Sequence, residues 1–216
     1  KTPQLEISSM ADVPSNGAGL GNSGAVTVAL LYALAQHRHL SLSTKDVADM
    51  ACHLNIDILK KNQGRQDEYA SAFGGINCFF FAPNGEIVVS PLKISYENMI
   101  KLEDNLMLFY TGLSHNTEEI LKDQNEKTNQ QDKSMLLNLN LSKETGLQTR
   151  IALENGRLDD FGNWLNFQWD LKESRNLKAS VPLLKKIHTN INKNGAVGNK
   201  IVGSGGGGFF LVYAHD

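Results

Sequence analysis

Residues 16–25 read "NGAGLGNSGA", three glycines at every second position directly ahead of an apolar run. Gly17, Gly19 and Gly21 permit positive φ, so successive backbone N–H groups can converge on one point. A helix opening behind them adds its unsatisfied first-turn N–H groups and the positive end of its dipole. The chemistry such a turn supports is anion binding, phosphate above all. The same glycines also serve a plain structural turn. The stretch lacks the lysine of a GxxxxGK[ST] loop and does not follow the βαβ unit of a dinucleotide-binding fingerprint. Ser23 reads as the N-cap of the coming helix; with a triphosphate in the loop, its hydroxyl would also reach a magnesium ion.

Two further stretches carry chemistry. "GRQDEYASAFGG" (64–75) sets Asp67 in the first turn of a short helix, where a carboxylate is also an ordinary dipole-favoured residue. Arg65 beside it reads either as a phosphate contact or as a solvated surface side chain. Near the end, "KIVGSGGGG" (200–208) holds Gly203 and then Gly205, Gly206, Gly207 and Gly208, more than a hairpin turn requires. Four adjacent glycines imply backbone passing close to a ligand.

The elements that must position these groups follow from pattern. "QLEISSM" (4–10) reads as a short strand running into a turn over Pro14–Gly21, and Ser23–Gln36 as a buried helix. "STKDVADMACHLNIDILKK" opens with Ser43 three before Asp46, like a capping box, and repeats apolar residues at Val47, Met50, Ala51, Leu54 and Ile58, an amphipathic helix. "INCFFFAPNGEIVVSPLKI" places two apolar runs around Asn84-Gly85, a strong hairpin signal, and "NLMLFYTG" is a further strand. From Asn116 to Asn194 the spacing predicts three or four helices packed on a sheet, before a closing strand, glycine loop and strand. Strands first, a helical block next and a closing strand give an α+β fold. A composition shift near Glu103 divides it into residues 1–103 and 104–216.

At 216 residues and 41% hydrophobic, the chain is long enough for one large domain or two small ones. A net charge of −2 offers no basic field for nucleic acid or an anionic membrane, so the expected partner is a small molecule or another protein. Cys52 and Cys78 have neither CxxC spacing nor a histidine cluster nearby, which excludes a cysteine metal site and fits a reducing compartment. No apolar run approaches the ~18 residues of a membrane span. "KTPQLEISSM" has no signal-peptide core, so the expected location is cytoplasmic, with a homodimer left open.

Taken in order, "DVPSNGAGLG", "GRQDEYASAFGG", "LMLFYTGLS", "WDLK" and "GAVGNKIVGSGGGGFFLVY" resemble the GHMP small-molecule kinases, and within them the D-glycero-D-manno-heptose 7-phosphate kinase group. The resemblance implies a two-domain α+β kinase, with a nucleotide-binding N-terminal domain partly present in residues 1–103 and a C-terminal domain in 104–216. It implies ATP and Mg²⁺ as cofactors and phosphorylation of the anomeric hydroxyl of a sugar phosphate, heptose 7-phosphate first. By the same likeness Asn16, Gly17, Ala18, Gly19, Leu20, Gly21, Asn22 and Ser23 wrap the ATP phosphates. Ser23 also touches magnesium, Asp67 accepts the proton of the attacking hydroxyl, and Gly205–Gly208 closes the substrate side; Arg65, beside that base, is read apart from the likeness as a contact to a phosphate of the substrate or of ATP. Backbone amides, a cation and one carboxylate suffice for phosphoryl transfer, which needs positioning and charge neutralisation more than covalent help.

The sequence departs from the family pattern in three places. The family's first segment, a sugar-contacting strand and glycine turn, has no counterpart here, and the expectation is that it belongs to the protein outside these residues. Asn22 replaces the first of two family serines. Twelve residues before Asp67, where the family has a magnesium-binding glutamate, stands Asn55. Its amide oxygen offers Mg²⁺ a ligand without charge, and Asp57, roughly 200° further around a helix, does not substitute. Two other readings follow: a kinase for another sugar, and a non-catalytic nucleotide- and sugar-binding regulator.

Overall fold

The computed structural model describes residues 5–12, 18–113, 117–175 and 182–215. Helix α1 (Asn22–His37) follows the glycine loop, and α2 (Thr44–Cys52) continues into a π-helical segment, His53–Ile58. A short α3 (Gln66–Phe73) leads to the hairpin of β1 (Asn77–Phe81) and β2 (Ile87–Pro91). Then come α4 (Tyr96–Asp104), β3 (Leu106–Tyr110), α5 (Thr117–Asn129), α6 (Lys133–Glu154), α7 (Leu158–Arg175), α8 (Pro182–Lys193), β4 (Ala196–Ile201) and β5 (Phe209–Ala214). Three or four helices and a closing strand pair are expected after Asn116; four helices, α5 to α8, and the pair β4 and β5 are present.

Local chemistry accounts for the boundaries. Ser43 accepts the Asp46 N–H while the Asp46 carboxylate accepts the Ser43 N–H, a full capping box at the head of α2. At the hairpin tip Gly85 takes φ 85°, and the Asn84 side chain accepts the Glu86 N–H. β1 and β2 pair antiparallel with Phe79 opposite Val89. The second sheet runs β3-β5-β4, all antiparallel, so the last strand lies between the other two.

Two expectations are corrected. The strand read over residues 4–10 is not formed in its described part: residues 5–10 carry no regular structure, and Ile7 and Met10 are exposed. No strand pairs with them among the described residues, and an unpaired extended segment has no ladder to hold it. The second is the long amphipathic helix, which changes period at His53. Its inward residues are Val47, Ala48, Ala51, Cys52 and Asn55, whereas Met50 and Ile58 face solvent. The wider π-turn carries Ile58 away from the apolar stripe.

Among the described residues the core lies in four patches. Val28, Val47 and Ala51 join α1 to α2, and Tyr69 packs with Ala48, Cys52 and Ile87 beneath the hairpin. In the remainder, Phe161 and Leu165 of α7 meet Tyr213, Leu102 and α6, and Trp169 meets Leu184, Ile201 and Phe210. Against this last patch the His188 ring stacks on Trp169 at 4.7 Å and bonds the buried Asn199 side chain at 2.8 Å. Burial holds His188 below the usual imidazole range, although the Asn199 bond favours the charged form.

The consequence has a definite sign. The unfolded chain protonates this histidine below about pH 6.5 while the folded one keeps it neutral, so the stabilisation is whole above that pH and is lost as pH falls toward the folded value. The melting temperature is expected to drop on acidification from pH 7 to pH 5.5. The slope should flatten in His188→Gln, which keeps a donor and an acceptor; an unchanged slope would remove His188 from the account.

Candidate functional site

The three glycine-rich stretches do not stay apart. Gly19 (φ 75°) and Gly203 (φ 67°) touch backbone to backbone: a Cβ on Gly203 would stand 2.6 Å from the Gly19 Cα, and one on Gly19 would stand 3.0 Å from the Val202 oxygen. Lys172 of "WDLK" fastens the joint, donating to the Ile201 and Gly203 carbonyls at 3.0 and 2.6 Å. Burial and the nearby Lys200 and Arg175 charges push the Lys172 ammonium well below its ordinary range. Further along, the Gly208 N–H donates to the Leu113 carbonyl at 2.9 Å and its own carbonyl accepts the Thr111 N–H at 2.8 Å. The run Gly205–Gly208 is buried, so Gly208 acts in joining the closing strands to the segment after β3.

Helix α1 begins on Gly21, which takes φ 70° as N-cap with no side-chain cap bond, and no acidic residue stands in the first turn. Ser23 is therefore inside the helix, not its cap. The open N–H groups and positive dipole end lie beside Asp67, whose carboxyl carbon would be 3.3 Å from a Cβ on Gly21. One turn on, a Cβ on Gly24 would come within 3.0 Å of the Asp67 backbone and the Glu68 nitrogen. Only glycine lets α1 and α3 approach so closely. Asp67 thus stands in the first turn of α3, the position its sequence context predicts, and lies against the first glycine loop. Arg65, the N-cap of α3, is exposed and makes no side-chain hydrogen bond to Asp67.

Asn16 and Gly17 lie outside the described residues. Ala18 is buried, Leu20 is half-buried and Asn22 is the first residue of α1.

Behind Ser23 lies a cluster that the sequence reading did not assemble. Asn55 is wholly buried; its Nδ2 donates to Glu68 Oε1 at 2.8 Å and Thr27 Oγ1 at 3.2 Å. Its Oδ1 accepts a bond from Lys61 Nζ at 3.0 Å, and the same ammonium donates to Ser23 Oγ at 2.8 Å. Glu68, also wholly buried, accepts from Gln63 as well, while its Oε2 has no partner among the described residues. The thiol of Cys52 behind this cluster is pushed up to about 12 by burial and the Glu68 charge, which keeps it inert. Thr27, Lys61 and Glu68 were missed because each is unremarkable in sequence: one turn after Ser23, at the tail of an apparent helix, and next to Asp67.

The donors expected for magnesium, Ser23 and Asn55, are brought together, but around an ammonium. Both oxygens accept from Lys61, Asn55 carries no charge, and no group of three His, Cys, Asp or Glu suited to a metal ion occurs among the described residues. A resident divalent ion does not fit this arrangement, since Mg²⁺ favours carboxylates and is repelled by a cation at contact distance.

The N-terminal domain model of the GHMP kinases matches residues 2–75 and the C-terminal model residues 149–216, between them most of the chain. The chain belongs to the GHMP kinases. It is 28% identical over 213 residues to D-glycero-alpha-D-manno-heptose 7-phosphate kinase of Campylobacter jejuni, covering 99% of this chain and 62% of that one. Mevalonate kinase of Pyrococcus abyssi is 26% identical over 219 residues, covering 99% and 61%. Among solved structures, a D-glycero-D-manno-heptose 1-phosphate kinase from Bacteroides thetaiotaomicron superposes with a TM-score of 0.67 at 24% identity, covering 94% of this chain and 55% of that one, a likeness of fold. The chain thus spans under two thirds of the length of these relatives.

The joint between glycine stretches gives a direct test. Gly203→Ala is expected to lower unfolding free energy by roughly 1–3 kcal/mol, from backbone collision with Gly19 and a positive φ. Gly64→Ala, whose Cβ would meet nothing, should stay within about 0.5 kcal/mol. Equal urea midpoints for the two variants would contradict the contact.

Proposed function

We propose that this chain carries the nucleotide and transfer site of an ATP-dependent small-molecule kinase, with a sugar hydroxyl as acceptor. The observation that carries the reading is the Asp67 carboxyl against Gly21 at the uncapped N-terminus of α1. Open amides there are suited to the ATP phosphates, with the magnesium that accompanies ATP carried on the phosphate oxygens. Asp67 stands within reach of the phosphate position, as a base for the incoming hydroxyl must. In the transfer, the acceptor oxygen bonds the terminal phosphorus as the bridging P–O bond to ADP breaks, and the hydroxyl proton goes to Asp67. The gain comes from alignment and charge placement.

For the acceptor, the likeness to the Campylobacter enzyme supports the anomeric hydroxyl of D-glycero-D-manno-heptose 7-phosphate. Gly205–Gly208 is assigned to the substrate side by the family likeness, and Arg65 by its place two residues before Asp67. We divide the chain into a nucleotide-binding part, residues 1–103, and a C-terminal part, 104–216. The second reading is a regulator that binds nucleotide and sugar without turnover; the neutral Asn55 with Lys61 upon it is the feature that favours it.

ATP consumption by the full-length protein, assayed against heptose 7-phosphate, other sugars and mevalonate, separates these readings. Heptose 7-phosphate should give the highest kcat/KM, and binding without turnover on every acceptor would leave the regulator. Asp67→Asn should lower kcat by roughly 10²- to 10⁴-fold with nucleotide affinity little changed. A rate within about threefold of wild type would reduce Asp67 to a helix-start carboxylate.

A further inference from the structure

Lys61 is fixed at both ends by one residue. After the π-segment the chain turns through Lys60, which takes φ 54°, and the Lys61 N–H donates to the Asn55 carbonyl at 3.0 Å. Its side chain then doubles back, so that Nζ reaches the Asn55 amide oxygen and the Ser23 hydroxyl. The ammonium is thereby held at the first turn of α1, the positive end of a helix without an acidic residue or side-chain cap. A cation in that position opposes the dipole and gains nothing from it. Open amides, the dipole end and a point charge meet here, a combination suited to a phosphate oxygen, with Asp67 beside Gly21 and the buried Glu68 behind Asn55 as the neighbouring carboxylates. Among the described residues, the Ser23 and Asn55 oxygens take two of the three ammonium protons, and the third is free for a phosphate oxygen.

We propose that Lys61 supplies the cation of the phosphate site: its ammonium meets the polyphosphate of the nucleotide, at the place between Ser23 and Asn55 where a protein-held divalent ion would otherwise sit. This rests on the kinase reading above. The missing Walker-type lysine is thus delivered from a loop some forty positions downstream of the glycine turn. Asn55 is the orienting residue, holding the ammonium on one side and, on the other, the buried Glu68 carboxylate that partly balances it.

Calorimetry of ATP binding to the full-length protein, in EDTA and again with saturating magnesium, tests this. Wild type should bind ATP in EDTA, and Lys61→Met and Lys61→Gln should each lose roughly tenfold or more there. Equal affinity in wild type and in both folded variants would overturn the proposal while leaving the nucleotide site standing, as would wild-type binding that needs magnesium. No ATP binding by wild type under either condition would overturn the kinase reading, and the proposal with it. Manganese binding followed by electron paramagnetic resonance, without nucleotide, gives an independent readout. Wild type and Asn55→Glu should hold no stoichiometric ion, since the new carboxylate pairs with Lys61, whereas Asn55→Glu/Lys61→Met should hold one. A wild-type manganese site abolished by Asn55→Ala would overturn the proposal.

Discussion

The close approach of α1 to α3 is the constraint on which the site depends. With Gly21 and Gly24 facing it, α3 lies so near that any side chain at Gly24 would strike the Asp67 backbone. Consecutive residues of α3 then serve opposite sides of one contact, because a helix turns about 100° per residue. Asp67 meets the N-cap of α1 at the glycine loop. Glu68 enters the interior and bonds Asn55, which in turn carries Lys61 to Ser23. Separating the helices by one methyl group would disturb both the carboxylate and the ammonium.

The second contact, between Gly19 and Gly203, ties this assembly to the closing strands. It links residues distant in sequence through bare backbone, and Lys172 holds the carbonyls that form its far wall. A lysine spent on two carbonyls has its charge solvated by dipoles instead of a carboxylate, consistent with an ammonium pushed well below its ordinary range. The glycine run that follows is closed onto Thr111 and Leu113 in the same way. The glycines thus divide their work: Gly21 starts a helix without a side-chain cap, and others admit one segment of backbone against another.

Much of this was legible in the sequence. The glycine turn before a helix, Asp67 at a helix start, the Asn84-Gly85 hairpin and the strand–glycine–strand ending all rest on local rules, and those rules hold. What was not legible depends on phase and on distance. A 3.6-residue period carried past Cys52 puts Ile58 inside and leaves nothing for Lys61 to do, but the π-segment rotates Ile58 outward and the turn at Lys60 brings Lys61 back. Asn55, expected as a weak metal ligand, is a buried hub satisfied by Glu68, Thr27 and Lys61, because a buried amide must find partners for both its ends. No spacing rule connects Lys61 to Ser23 across that distance in sequence.

The most direct measurement is a crystal structure of the full-length protein with a non-hydrolysable ATP analogue. Phosphate oxygens are expected about 2.7–3.2 Å from the backbone nitrogens of residues 21–23. The terminal phosphate should lie on the side of the loop that faces the Asp67 carboxylate. A triphosphate bound away from the N-terminus of α1, or one whose terminal phosphate points away from Asp67, would contradict this placement.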